Sequence, residues 1–245
     1  MINSAAILAG GSGTRLGSLA QGRPKGFLTL GRRPIIEESI EKLLHCGIAR
    51  IVIGTGFGAR YYDRLAERYP QVHCVLNADY ERSGSMYTLY QLRDLLSERF
   101  LLLESDIVYE RAALEAVIQS EHDVVVLASG PTGSGDEVFI EADDSSNLVA
   151  MSKARDSLSR VDAELVGISG ISSAAYLAMC GFADGEFERT LDVDYEHALV
   201  GIARDMPVRV LRIDGLAWAE IDDESHLRRV RETVYPEIQH REALA

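Results

Sequence analysis

Residues 8–17 read Leu-Ala-Gly-Gly-Ser-Gly-Thr-Arg-Leu-Gly. The glycines of this run let backbone amides close around an anion, and Arg15 can hold the same anion with a forked pair of hydrogen bonds. Phosphate is the anion most often held this way. The run is not a full dinucleotide fingerprint, because Gly11, Gly13 and Gly17 miss its spacing, and no Gly-Lys-Ser or Gly-Lys-Thr follows to make a Walker loop. A purely structural glycine turn therefore stays open at this stage. Charge points the same way as the glycines: residues 1–36 carry Arg15, Arg23, Lys25, Arg32 and Arg33 and no acid, a charge of +5, while the remainder of the chain carries −18.

Cation usage singles out three further positions. The chain has only Lys25, Lys42 and Lys153 against 22 arginines. Lys42 lies in a helical stretch and is expected on a solvated face. Lys153 follows an apolar strand and is a candidate to reach a site as a compact positive charge, with an ordinary strand-end surface lysine as the alternative. Two acids also follow apolar strands, Asp106 after Phe-Leu-Leu-Leu-Glu-Ser and Asp222 after Trp218-Ala-Glu-Ile. Sites of open parallel sheets form at such strand ends, and carboxylates there suit a hard divalent cation. An acid at a strand end also serves as a helix cap, so we expect Asp222 as the ligand and Asp223 as the cap of a helix from Glu224.

The elements that must position these residues alternate in period. Strands are expected over 5–9, 50–54, 72–76 and 100–104, with helices from about Pro34 to a stop at Gly47, over 60–69 and over 86–96. That order of strand and helix predicts βαβ units and a mainly parallel sheet. Beyond residue 130 the spacing shortens, with Pro131, Gly133 and Gly135 in a loop, then strands over 137–142 and 148–152 that read as an antiparallel addition. A helix over 195–204, strands over 208–213 and 217–221, and a closing helix over 224–234 complete a single α/β domain.

Composition bounds the partners. With 245 residues, 47% hydrophobic and 26% charged, the chain can bury a large core, and its net charge of −13 argues against nucleic-acid or anionic-membrane binding. No apolar run approaches the roughly 20 residues of a membrane span, and no basic start with a long apolar stretch marks a signal peptide, so the cytoplasm is the expected address. Cys46, Cys74 and Cys180 are spaced for neither a disulfide framework nor a zinc site and are expected as small core residues. Oligomeric state is open, a homodimer included.

Ten residues beyond the glycine run comes Gly22-Arg23-Pro24-Lys25-Gly26-Phe27-Leu28. Together the two segments resemble the nucleotidyltransferases that couple a sugar phosphate or a small phosphorylated alcohol to a nucleoside triphosphate. The segment 77–89, Asn-Ala-Asp-Tyr-Glu-Arg-Ser-Gly-Ser-Met-Tyr-Thr-Leu, resembles the base-binding segment of the cytidylyltransferases for phosphocholine and 2-aminoethylphosphonate, and is closer to the second. IVIGTG, YYDRLAERYP, FLLLESD, ASGPTGSGDEV, YEHAL and WAEIDDESHL are also similar to the 2-aminoethylphosphonate cytidylyltransferases, so the resemblance spans almost the whole chain. The aromatic of Met86-Tyr87-Thr88 fits the phosphocholine branch as well.

The resemblance implies a Rossmann-like nucleotidyltransferase fold, a mixed and mainly parallel sheet flanked by helices with a small antiparallel addition. It implies one domain over 1–245, with 1–130 binding the nucleotide CTP and 131–245 the acceptor. Lys25 would sit on the reacting phosphates and Arg15 on the departing pyrophosphate, with Lys153 as a further catalytic cation. Leu8, Ala9, Gly10, Gly11, Ser12, Gly13, Gly84, Ser85 and Ser105 would bind the nucleotide, and Mg2+ would be held by Asp106 and Asp222. A phosphonate or phosphate nucleophile is already ionised near neutral pH, so no general base is needed, and none of the six histidines falls in a metal pattern. Asp136, Tyr195, Glu196, Trp218 and Glu220 are the candidates for the acceptor, acids suiting a primary ammonium and aromatics a quaternary one. Phosphocholine or phosphoethanolamine is the alternative acceptor. A nucleotide sensor without turnover is a rival, but both metal aspartates are present. A dinucleotide-dependent oxidoreductase is disfavoured because the second strand ends in Gly54-Thr55-Gly56 with no acid for a ribose.

Overall fold

The structure is a computed structural model that describes residues 2–11, 13 and 22–244. Strand β1 (Ser4–Ala9), inside the sheet, is a short apolar run that is buried on both faces. Ala5, Ile7 and Ala9 face one core and Ala6 and Leu8 the other, the period of two expected of a strand covered on both sides. β1 pairs in parallel with β2 (Arg50–Thr55) and β4 (Phe100–Glu104), and β2 pairs in parallel with β3 (Val72–Leu76). Helices α1 (Ile35–His45), α2 (Ala59–Ala66) and α3 (Ser85–Tyr90) lie between these strands in the chain, so the βαβ order read from periodicity is present.

The second half extends the same sheet. After the short β5 (Ile107–Tyr109) and α4 (Ala112–Gln119), strand β6 (Val124–Ser129) is followed by a hairpin of β7 (Phe139–Ala142) and β8 (Leu148–Ser152) and then by β9 (Ala163–Ile171). β9 runs antiparallel between β4 and β6, and the hairpin attaches to it. Then come α5 (Ser173–Phe187), α6 (Tyr195–Ile202), β10 (Arg209–Ile213), β11 (Trp218–Glu220), α7 (Glu224–Arg229) and α8 (Tyr235–Leu244). The main sheet has the order β10-β6-β9-β4-β1-β2-β3, and β11 pairs with β5 in a separate antiparallel ribbon. Helices α1, α2 and α4 cover one face, and α3, α5 and α6 the other.

Several expectations change in detail. The helix read over 86–96 ends at Tyr90 and gives way to a 3-10 turn at Arg93–Leu95, because Leu89, Leu92 and Leu96 are all drawn into the core. The closing helix does not stop at 234. A π turn over Val230–Val234 links α7 to α8, where Pro236, lacking an N–H, falls in the first turn and is tolerated. Lys42 is not on a solvated face: its ammonium donates to the carbonyl of Tyr109 and lies 3.1 Å from Glu242 Oε1. Cys180 is buried as expected, but Cys46 and Cys74 are only half-buried, and all three thiols are free. Among the described residues no helix is long and apolar enough to cross a membrane.

Candidate active site

The carboxyl ends of β1 and β4 lie side by side, with Leu8 in register with Glu104 and the Ser105 amide donating to the Leu8 carbonyl at 3.1 Å. The β5–β11 ribbon then brings distant chain to the same place. Ile107 pairs with Glu220, and the Ile221 amide donates to the Asp106 carbonyl at 3.0 Å, so Asp106 and Asp222 converge across 116 residues of sequence. A cavity of about 580 Å³ opens over these ends.

Most of the residues singled out in the sequence line this cavity: Leu8, Ala9, Gly10, Gly11, Gly13, Lys25, Gly84, Ser85, Ser105, Asp106, Lys153, Tyr195, Glu196 and Glu220. Ser12 and Arg15 lie outside the described residues. Asp136 and Trp218 line a smaller adjoining cavity that shares Glu104 and Glu220 with the large one, so Trp218 does not face the main space. Asp222 does not line the cavity; it is 1% exposed and meets the site through its hydrogen bond with Lys25. Gly13 has a φ of +60°, and a Cβ there would stand 3.0 Å from Lys25 Cγ, so the turn needs glycine both for its backbone and for the passage of Lys25.

Lys25 follows Pro24 in a 3-10 turn and points its ammonium at both aspartates, 2.9 Å from Asp106 Oδ2 and hydrogen-bonded to Asp222 Oδ1. Burial alone would lower its pKa, but the two carboxylates outweigh burial and raise it. Asp222 is held down to about 2: burial pushes it up, and the hydrogen bond with Asp136 and the Lys25 ammonium more than reverse this. Asp223 is the helix cap, its Oδ1 accepting from the His226 amide at 2.9 Å.

The acids next to this pair behave differently. Glu104 is pushed up to about 7, by burial first and then by Asp106, although Tyr195 donates to its Oε1 at 2.7 Å. Glu196 is pushed up to about 8 by burial, Glu104 and Asp194. Glu220 is pushed up to about 10 by burial and then by Asp106, Glu104 and Asp222. Buried carboxylates this close hold one another's protons unless a cation joins them. Glu104, Asp106 and Glu220 each offer an oxygen within 4.8 Å of the others. An all-oxygen donor set of this kind fits a hard divalent cation. Lys153 stands at the rim, 57% exposed, with its Nζ 3.2 Å from Asp136 Oδ1.

Sequence reasoning passed over Glu104, although an acid closing the apolar run Phe-Leu-Leu-Leu was the available signal. It also passed over the ordering of segment 77–89. Asn77 Nδ2 donates to Ser83 Oγ at 2.9 Å and to Thr88 Oγ1 at 3.0 Å, which shapes the wall near Tyr80. The Ser85 hydroxyl donates to Asp194 Oδ1 at 3.2 Å and accepts from the Tyr195 amide at 2.9 Å, stitching the start of α3 to the start of α6.

Residues 5–167 match the model of the MobA-like NTP transferase domain. The chain is 26% identical over 234 residues to a choline-phosphate cytidylyltransferase of Streptococcus pneumoniae, covering 93% of this chain and 96% of that one. It is 30% identical over 162 residues to a 2-aminoethylphosphonate cytidylyltransferase of Lancefieldella rimae, covering 61% of each. In three dimensions it is similar to the inositol-1-phosphate CTP transferase from T. maritima, with a TM-score of 0.83 at 20% identity over 97% of this chain and 95% of that one. That likeness shows the fold, a mixed and mostly parallel nucleotidyltransferase sheet with flanking helices.

Proposed function

The chain belongs to the MobA-like NTP transferase family, and from that premise we propose that it transfers CMP from CTP to 2-aminoethylphosphonate, releasing pyrophosphate. The observation that carries the acceptor is Glu196. Its Oε2 is buried without a hydrogen-bond partner beside Glu104 and Glu220, in a cavity whose only aromatic side chains among the described residues are tyrosines. Three crowded acids with only Lys25 and Lys153 as nearby cations suit a primary ammonium, which would draw them into the carboxylate form, whereas a trimethylammonium wants an aromatic cage.

In this reading residues 1–130 bind the nucleotide and 131–245 the acceptor, within one domain. The amides of Gly10, Gly11 and Gly13, with Ser12 and Arg15, hold the pyrophosphate that leaves. Lys25 places its ammonium on the reacting phosphate and exchanges carboxylate partners for phosphate oxygens as the nucleotide enters. Gly84 and Ser85 with the wall at Thr88 enclose the cytosine, and Ser105 lines the nucleotide side. A phosphonate oxygen, already ionised, attacks the α-phosphorus in line, so no side chain need take its proton. Tyr195, Glu196 and Glu220 surround the acceptor, Lys153 balances its phosphonate charge with Asp136 behind it, and Trp218, in the smaller cavity, stays out of contact with it. Asp106 and Asp222, with Glu104 and Glu220 beside them, would hold Mg2+, which supplies charge neutralisation at the transferring phosphoryl group.

A phosphocholine or phosphoethanolamine acceptor is the second reading, favoured by the longer match to the choline-phosphate enzyme. Pyrophosphate release from CTP and Mg2+, with each acceptor in turn and with UTP, ATP and GTP as controls, decides between them. Release with CTP and 2-aminoethylphosphonate is expected. Faster release with phosphocholine would overturn the acceptor and leave the nucleotide and metal assignments standing. No release with any pair would remove the transferase reading.

A further inference from the structure

His226 belongs to neither list of reacting groups, yet it is 7% exposed and touches two parts of the site at once. Its Nε2 lies 3.0 Å from the carbonyl oxygen of Ser134. A carbonyl only accepts, so Nε2 carries the hydrogen. Nδ1 is then free to accept, and it receives the Asp222 amide at 3.3 Å. A single neutral tautomer satisfies both contacts. The backbone of His226 is fixed as well, because its amide is capped by Asp223.

The two ends of this imidazole lead to different chemistry. Asp222 is paired with Lys25 on the nucleotide side. Ser134 belongs to the loop 130–137, which carries Asp136 to Lys153 on the acceptor side. Gly133 and Gly135 of this loop take φ of +63° and +97° with open space around them, and its own support is the Glu137 carboxylate, which accepts from the Ser134 and Gly135 amides. The loop is anchored from outside at Thr132 by Arg229 Nη1 (3.0 Å) and Glu164 Oε2 (2.7 Å), at Ser134 by His226, and at Asp136 by its hydrogen bond with Asp222 and by Lys153, so His226 adds a main-chain tie to that side-chain one.

We propose that His226 is a positioning residue that sets the Asp222 main chain through Nδ1 and the acceptor loop through Nε2, so that two substrate sites drawn from distant chain keep one spacing. The inference rests on the transferase reading above for its kinetic consequences and on the geometry alone for its structural ones. Partners one step behind a metal-holding carboxylate typically change metal affinity or activity by 10- to 100-fold when removed.

Two conservative variants separate the two contacts. In His226→Asn the side-chain oxygen stands near the place of Nδ1 and can still accept from Asp222, but nothing reaches Ser134. In His226→Gln the amide reaches Ser134 as a donor and leaves the Asp222 amide unmet. Hydrogen exchange followed by mass spectrometry on the full chain should show about tenfold faster exchange in 130–137 for His226→Asn and in 220–224 for His226→Gln. With CTP, Mg2+ and acceptor, His226→Asn should raise the acceptor KM about tenfold with the Mg2+ dependence unchanged. His226→Gln should raise the Mg2+ concentration for half-maximal turnover about tenfold with the acceptor KM unchanged. Equal effects of both variants on both segments, or altered melting temperature with no kinetic or exchange split, would overturn the proposal. If the wild-type protein turns over no acceptor, the transferase reading falls and the exchange split alone decides the positioning role. NMR of the ring nitrogens in the unaltered protein needs no variant: the Nε2–H tautomer is expected, and the Nδ1–H tautomer would sink the inference.

Discussion

The ammonium of Lys25 lies 2.9 Å from Asp106 Oδ2 and is also hydrogen-bonded to Asp222 Oδ1, so one cation joins two aspartates 116 residues apart in the chain. The pair is mostly shielded, with 14% of the Lys25 side chain and 1% of the Asp222 side chain exposed. Lys25 thus supplies counter-charge at the place where a divalent cation would compete for the same oxygens.

Replacing Lys25 by methionine keeps much of the volume and removes the charge. Turnover of Lys25→Met is expected to fall on the order of 10²-fold or more, as for other lost transition-state charge partners. In metal-free buffer the variant should also melt at a lower temperature, because Asp222 is left buried without its cation. Thermal scans with and without Mg2+ check the competition: Mg2+ should raise the melting temperature more in the variant than in the wild type. Equal shifts would mean that lysine and metal do not share carboxylates.

Glu196→Gln preserves shape and removes the carboxylate form that a bound ammonium would favour. We expect the KM for 2-aminoethylphosphonate to rise about 10- to 100-fold, the range for losing a charged hydrogen-bond partner, with the KM for CTP within about twofold. The same variant should melt at a higher temperature, because burial, Glu104 and Asp194 all disfavour the carboxylate it removes. A KM change shared equally by both substrates would take Glu196 out of the acceptor site.

The thiols give a pH test independent of the reaction. Burial, and then Asp63, push Cys74 up to about 11; burial, and then Asp184, do the same for Cys180. At pH 8 the thiolate fraction of each is about 100-fold below that of an ordinary thiol, so alkylation should be correspondingly slow and should rise about tenfold per pH unit. A folded pKa above the unfolded 9.0 favours the neutral form, so this contribution to stability is complete below pH 9 and fades as pH climbs toward 11. Rapid labelling of both thiols at pH 8 in the folded protein would contradict the burial of these groups.

Two glycine substitutions should have opposite signs. A Cβ on Gly84 would run into the Val193 backbone, where Gly84 and Met86 also donate to the carbonyls of Leu191 and Val193. Gly84→Ala is expected to cost about 2 kcal/mol in urea unfolding, within the range for overpacking. Gly181 lies in the exposed face of α5 with nothing near it, and Gly181→Ala should add about 0.5–1 kcal/mol. A harmless Gly84→Ala would show that α3 and the chain around Val193 are not in close contact.

Much of the fold was legible because it is written locally. The apolar run Ala5–Ala9, the spacing of Ile36, Ile40 and Leu43, and the stop at Gly47 each state a period or a turn within one short window, and each element stands where that window puts it. The strand β9 was not legible in this way. Its nine residues are all buried because neighbours from β4 and β6 flank it antiparallel, and that is a property of the assembled sheet. The helix start at Tyr235 was missed for a related reason, since Pro236 marks a stop in sequence, yet a π turn lets the chain carry on through it.

The candidate site divides along the same line. By itself the sequence determined which residues could do chemistry: an acid-free glycine run, a lysine in a chain that otherwise prefers arginine, and acids at the ends of apolar strands. Those are statements about residue type and nearest neighbours, and side-chain chemistry plus local backbone preference suffices to make them. Only the tertiary structure decided which of these groups meet. The pairing of β5 with β11 brought Asp222 to Asp106, the register of β1 with β4 added Glu104, and Trp218 was turned toward the smaller cavity. Lys42, no different in sequence from Lys25 as a cation, was drawn instead against Tyr109 and Glu242. Charge interactions of buried groups depend on distance and desolvation, and both are set by strand register and packing between segments far apart in the chain.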